Sequence, residues 1–346
     1  MSTTLAIRSC GLVTGVGLSA PATCAAIRAA IDNFQETRFR DQGGEWLMGC
    51  ETAFPRQLRG EARLLKMAAR AIAECLEGID PRDCGSIPLL LCLAEGERPG
   101  RPIADDAMFF RQLEDALGFH FHPRSSVIAQ GHVAAAIALH QARHLVGQDG
   151  ISQVLVAACD CLLSGVALKD FEERERLLTS ENSNGFIPGE GAAALLVAPL
   201  EPERAGMGQL ACHGLGFAVE KAHIDSQEPL RAHGLTAAIK QSLADAGCGE
   251  SVLQFKIVDA SGGEYAFKES AIAFSRIDRT KRTEFDVWHP ADCIGEVGAP
   301  IGLVMIAVLK AACEKAYAKG RHVLLHLGND GGRRASMIFS WHPPRG

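Results

Sequence analysis

Hydrophobic positions along this chain fall into two rhythms. Short unbroken runs of small and β-branched residues, at 154–158 and 192–198, read as strands buried on both faces. Longer segments with apolar residues every three or four positions read as helices packed on one side. Leu65, Ala68, Ile72 and Cys75 mark one such face within a helix expected over 61–78. Directly before the second buried run stands Asn184-Gly185-Phe186-Ile187-Pro188-Gly189-Glu190-Gly191, a tight loop feeding a central strand.

Taken in order, the pattern predicts a strand over 5–9, a glycine turn over 10–17, and a helix over 20–31 with Pro21 in its first turn. After the 61–78 helix come a strand over 87–93, a short helix over 108–117, an almost wholly apolar helix over 131–146 and the strand over 153–158. Residues 34–60 and 94–124 are polar and mixed, and read as insertions. Past a seam at 199–208 the order restarts. A strand and turn at 209–217, a helix at 233–246, a strand at 255–260, a helix at 298–318 and strands at 321–327 and 335–341 follow. The repetition points to an α/β fold of two duplicated halves, residues 1–200 and 205–346, with the insertions in the first.

Composition changes this picture little: 47% hydrophobic and 22% charged residues are those of an ordinary globular protein. A net charge of -6 with scattered Lys and Arg gives no support to nucleic acid or an anionic membrane as partner. Twelve cysteines lack CxxC spacing and read as reduced cytosolic thiols. The N-terminus has no basic, then apolar, leader, and no stretch reaches the roughly 18 apolar residues of a membrane helix, so a cytoplasmic protein is expected. The glycines at 11–17 lack nucleotide-binding spacing, and no cofactor is expected. Cys159 and Cys161, two thiols with no further ligand near in sequence, are too few for a metal site; Asp160 between them is expected to bond with backbone or interface groups. The run 169–176 reads as a solvated helix face with pairs such as Glu172 to Arg176.

The Gly185-Phe186-Ile187-Pro188-Gly189-Glu190-Gly191-Ala192-Ala193 block, together with Gly11-Leu12-Val13-Thr14, the stretch 295–302 and the terminal glycine loop 328–332, resembles the β-ketoacyl synthases of the thiolase fold. The resemblance implies a layered α-β-α-β-α arrangement and dimers paired along a central strand edge. It also implies a cysteine nucleophile at the start of a buried helix, two histidines that stabilise negative charge, and a supporting lysine.

None of the four is in its expected place. The nucleophile position falls on Gln130 or Gly131, the first histidine on Ser261, the second on Glu296 and the lysine on Ala291. His132 and Cys293 are the residues from which a new pair could be built. Gly189 and Glu190 are expected to shape the loop beside the old pocket.

The resemblance therefore implies a pseudoenzyme kept for binding, with a homodimer or a related thiolase-fold chain as partner. The glycine block is also similar to that of thiolase-like proteins of type VI secretion clusters, which implies an adaptor or chaperone for a secretion effector. The alternative is an acyltransferase or an inactive chain-length-type subunit of fatty acid or polyketide synthesis, working with an acyl carrier protein. Within the family, glutamine at the nucleophile position belongs both to decarboxylating ketosynthases, which still need their histidines, and to such inactive subunits.

Overall fold

The computed structural model describes residues 3–55, 57–201, 208–280 and 284–344. The expected seam lies largely at 202–207, outside the described residues, as do residues 1 and 2 of the N-terminus.

The first part of the chain runs β1 (Leu5–Thr14), α1 (Ala20–Arg28), a hairpin β2 (Gln35–Arg40) and β3 (Trp46–Gly49), α2 (Gly60–Cys75), β4 (Leu89–Leu93), α3 (Asp106–Leu117), β5 (Ser126–Ala129), α4 (Ala134–Leu145), β6 (Val154–Cys161), α5 (Gly165–Glu173) and β7 (Glu190–Pro199). The second runs β8 (Gln209–Val219), α6 (His233–Asp245), β9 (Phe255–Val258), α7 (Glu264–Ile277), β10 (Asp286–Trp288), α8 (Ala291–Ile294), α9 (Ile301–Glu314), β11 (His322–Gly328) and β12 (Arg333–His342).

Strands hydrogen-bond in the order β10-β9-β11-β12-β8-β1-β7-β6-β4-β5. Reading outward from the centre, each side has two antiparallel pairings followed by two parallel ones. The two sides meet where Leu5–Ile7 pairs with Leu210–Cys212.

Apolar alternation along these strands decides the layers. Leu90, Val156 and Leu195 of one side and Ile257, Leu325 and Met337 of the other share one cluster with the helices α4 and α9. Leu89, Leu91, Leu155 and Ala194, one position out of phase, face α2 and α3 instead. Leu324 and Ile338 face α6 and α7. The layers are thus helix, sheet, helix, sheet, helix, with α4 and α9 in the middle. α9 is nearly all apolar because it is covered along most of its surface, whereas α4 buries Ala134, Ala135, Ala136, Ala138, Leu139 and Ala142 and leaves His140 and His144 exposed; each buried Leu or Ile there contributes about 1.5–3 kcal/mol.

Several sequence expectations shift. The first strand does not stop at 9: β1 absorbs a register shift between Ile7 and Ser9 and continues to Thr14, with Gly11 pressed against the backbone of Ala71 on α2. The hairpin β2–β3 and the helix α7 lie where no element was expected. The pair Glu172 to Arg176 does not form. Glu172 accepts from the Gln42 amide, the i,i+4 pairs are Lys169–Glu173 and Asp170–Arg174, and Arg176 turns inward to Asp330. The strand β6 runs to Cys161, so Cys159 and Cys161 share a face, and both pack in the outer cluster with α2. Among the described residues no helix is long and apolar enough to cross a membrane.

Candidate functional site

Gln130, Gly131, His132, Ser261 and Glu296 of the expected site residues converge where β5, β9 and β11 end and the loop before α9 begins. Parallel strands end together there, so their following loops meet over the buried start of α4. Gly131 opens the turn that leads into α4 with φ +54, a left-handed conformation suited to glycine. A Cβ at this position would stand 2.6 Å from the Glu95 carboxyl carbon. The Glu95 carboxylate, held by the Asn329 side-chain amide at 3.0 Å, thus occupies the space that a side chain at 131 would need. Gln130, with φ -132 and ψ 16, lines the larger of the two cavities at this site.

His132 sits between two carboxylates: Nδ1 is 3.2 Å from Asp259 Oδ2, and Nε2 is 2.9 Å from Glu296 Oε1. The Ser261 hydroxyl donates to Glu296 Oε2 at 2.5 Å, and the Gly298 amide donates to Glu296 Oε1 at 2.8 Å. Asp259 also accepts from the Gly328 amide. Burial works against protonation of His132, but Glu296 and Asp259 outweigh it and hold the imidazole well above its usual range. Burial likewise works to raise Glu296, and His132, Ser261 and Gly298 outweigh it and hold the carboxyl below its usual range. The result is a continuous chain, Asp259–His132–Glu296–Ser261, in which the imidazolium is paired on both nitrogens.

The glycine loop before β7 fixes this chain from below. Gly189 donates to the Glu296 carbonyl, and the Glu296 amide donates to the Ile187 carbonyl, each at 2.8 Å. A Cβ on Gly189 would meet the Ile294 carbonyl at 2.6 Å, so backbone lies directly on backbone. Glu190 then turns into the core and accepts from Thr52 and from Arg63, with Arg63 Nη2 at 2.6 Å. Gly189 thus shapes the backbone under Glu296 as expected, whereas Glu190 anchors the loop from the core side.

Two adjoining cavities of about 90 and about 530 Å³ share His132, Arg176, Phe186, Glu296, Asn329 and Asp330 in their walls. No cysteine lines either among the described residues. Cys293 packs in the central cluster, where its carbonyl faces the Cys50 thiol, so the imagined His132 and Cys293 pair is not assembled. Ala291 is buried at the start of α8 and outside both cavity walls.

Sequence reasoning missed Glu95, Asp259 and Asp330. Asp330 receives Arg174 at 3.0 Å and Arg176 at 2.8 Å, which ties the end of α5 to the loop between β11 and β12. An acid at the end of β9, one residue before Ala260-Ser261, was the one available signal. Also missed was a polar trio behind the smaller cavity, in which Ser270 Oγ lies 2.7 Å from Lys256 Nζ and 3.0 Å from His326 Nε2. Asp160 accepts from the Ala299 and Cys161 amides, as expected, and also binds Arg98 through both oxygens.

Chemically, the cluster holds charge but lacks a ready nucleophile. A carboxyl held below its usual range is a weak base toward the Ser261 hydroxyl, and an imidazolium held above its range gives up its proton reluctantly.

No family model matches the chain. No curated protein matches it either. Solved structures do. A type II polyketide synthase acyl-carrier protein in complex with its ketosynthase bound to a hexaketide is similar over 98% of this chain and 100% of that one, with a TM-score of 0.82 at 14% identity. The fold is the thiolase-like ketosynthase fold. The ishigamide ketosynthase/chain length factor matches over 100% of both chains at 17% identity and a TM-score of 0.78. A ketosynthase in complex with its chain length factor from Xenorhabdus doucetiae matches over 98% of both, at 13% identity and a TM-score of 0.72. At these identities the likeness speaks for the fold.

Proposed function

We propose that this chain is a non-condensing, chain-length-factor-like subunit that acts by pairing with a second thiolase-fold chain. The observation that carries this reading is the Asp259–His132–Glu296–Ser261 chain, whose Ser261 and Glu296 are the positions that the resemblance would give to the two histidines. A carboxylate at 296 repels the negative charge that an enolate or a thioester oxyanion develops. Gly131 offers no nucleophile, and Glu95 fills its space. Since such groups act as a unit, several losses together leave little of the original rate.

Pairing is supported by the sheet edge. β5 is the last strand of the sheet on its side, beside α4, and leaves a row of backbone groups toward a neighbour. Close to α4 lies an open apolar groove of about 600 Å³ that includes Val133, Ile137, Phe217 and the exposed Val219. Ketosynthase and chain length factor complexes are among the similar structures, which favours a related chain as the partner and an assembly line with an acyl carrier protein as the setting. The secretion-adaptor reading draws no support from the structures named above.

The test is turnover of a malonyl thioester, on a carrier protein or as a small-molecule mimic, by the purified chain alone. Neither carbon dioxide release nor condensation is expected. Either activity, if lost in His132→Ala, would reinstate an enzyme.

A further inference from the structure

A second imidazole cluster lies on the outer face of the sheet, away from the cavities. In β12 the residues Ser336, Ile338, Ser340 and His342 alternate onto one face. Ser336 hydrogen-bonds Ser242 of α6, and Ile338 belongs to the outer cluster. Opposite them, β8 carries one extra residue: Cys212 pairs with Phe339 and Gly214 with Ile338, so His213 is a bulge. A bulge re-aims its side chain. It brings His213 Nε2 to 2.6 Å from Ser340 Oγ and 3.2 Å from His342 Nε2, while His342 Nε2 is 3.0 Å from the same hydroxyl. On the other flank, His322 of β11 is the direct cross-strand partner of Ser340 and therefore on the same face.

We infer that His213 and His342, with Ser340 between them and His322 beside them, form a binding site for one divalent transition-metal ion of the zinc, nickel or copper kind. Two nitrogens held by one tetrahedral ion at ~2.0–2.1 Å stand about 3.3 Å apart, which is the separation these two ring nitrogens already have. Imidazole donors select that group of ions over calcium or magnesium. The two facing rings come from adjacent paired strands, so their approach is fixed by the sheet ladder rather than by mobile loops.

Among the described residues no three His, Cys, Asp or Glu side chains already converge. His322 is exposed and completes the set by a side-chain turn, leaving water or Ser340 as the fourth ligand. Arg143, which donates to the Cys212 carbonyl beside His213, is paired with Asp245 at 2.5 Å. None of the cluster lines the cavities around His132, so the ion would brace the ends of β8, β11 and β12 independently of the proposed pairing.

The experiment is equilibrium dialysis of the metal-stripped full chain against zinc, with metal counted by mass spectrometry, and against cobalt, read by its visible spectrum. One ion per chain is expected, with ligand-field bands of a nitrogen and oxygen site and no thiolate charge-transfer band. His213→Ala and His342→Ala should each lose this uptake, and His322→Ala should weaken it by ~10-fold or more. Should His213→Ala fail to fold at the bulge, His342→Asn near the end of β12 carries the same reading. Uptake that is absent in the wild type, unchanged in these variants, or marked by a thiolate band from the chain's cysteines would overturn the site. The first of these would leave the three atoms as a hydrogen-bond chain through Ser340.

Discussion

Glu296→Gln tests the charge balance of the central cluster with little change of shape. The amide keeps an oxygen for Gly298 and His132 and a nitrogen for Ser261, so the substitution removes charge and leaves contacts largely in place. Removing one partner of a buried pair costs about 3–5 kcal/mol when the other is left bare. Here Asp259 still faces His132, whose side chain is about 20% exposed, so the expected loss is smaller, about 2 kcal/mol. The sign with pH follows from both shifts. His132, raised above 6.5, contributes stability that is fully present below that value and is lost as pH rises through its folded value. Glu296, lowered from 4.5, contributes above that value and loses its share as pH falls through its folded value. The difference between wild type and variant should therefore be greatest between 4.5 and 6.5 and shrink toward alkaline pH. Urea unfolding across this range, with the His132 ring shift followed by NMR, measures it. A difference below about 0.5 kcal/mol, or one that stays flat with pH, would refute the paired imidazolium.

Three further outcomes are expected. Gly131→Ala should destabilise the chain by about 2 kcal/mol or more, from the left-handed backbone and the Glu95 contact together; in chemical denaturation, added Glu95→Ala should recover the second share only. Burial lowers Lys256 to about 8 from 10.5, so the unfolded chain holds this proton more tightly, and stability should gain up to about 3 kcal/mol as pH rises between those values. Lys256→Met should lack that gain in the same urea titration, and equal slopes would contradict it. Val219→Asp, an exposed position in the open groove beside α4, should leave the melting temperature within a few degrees of wild type yet abolish pairing in analytical ultracentrifugation with the partner.

Layer order was legible because buried strands and helices write their periods plainly. The unbroken run at 192–198 is buried throughout and the apolar helix at 131–146 over most of its length, and both appear close to their expected limits as β7 and α4. Polar elements were not legible. β2 exposes most of its positions, and α7 buries only a narrow stripe, so neither carries a strong period. Within the site, the motifs singled out positions 130, 131, 261 and 296, which line the same pair of cavities, but their coupling was not legible. Asp259 reaches His132 across 127 positions and Asn329 reaches Glu95 across 234, and such pairings are made by strand order, not by local pattern. Arg176 shows the same limit in reverse: its helical spacing to Glu172 suggested a local pair, and the loop between β11 and β12 supplied a better partner.

The most direct test of the pairing account is purification of the tagged chain from its native cell, with the stoichiometry of the intact complex read by native mass spectrometry. The expected result is a one-to-one complex with a second thiolase-fold chain that carries a cysteine at the place of Gly131. Recovery of this chain with a secretion component and without any thiolase-fold partner would contradict it.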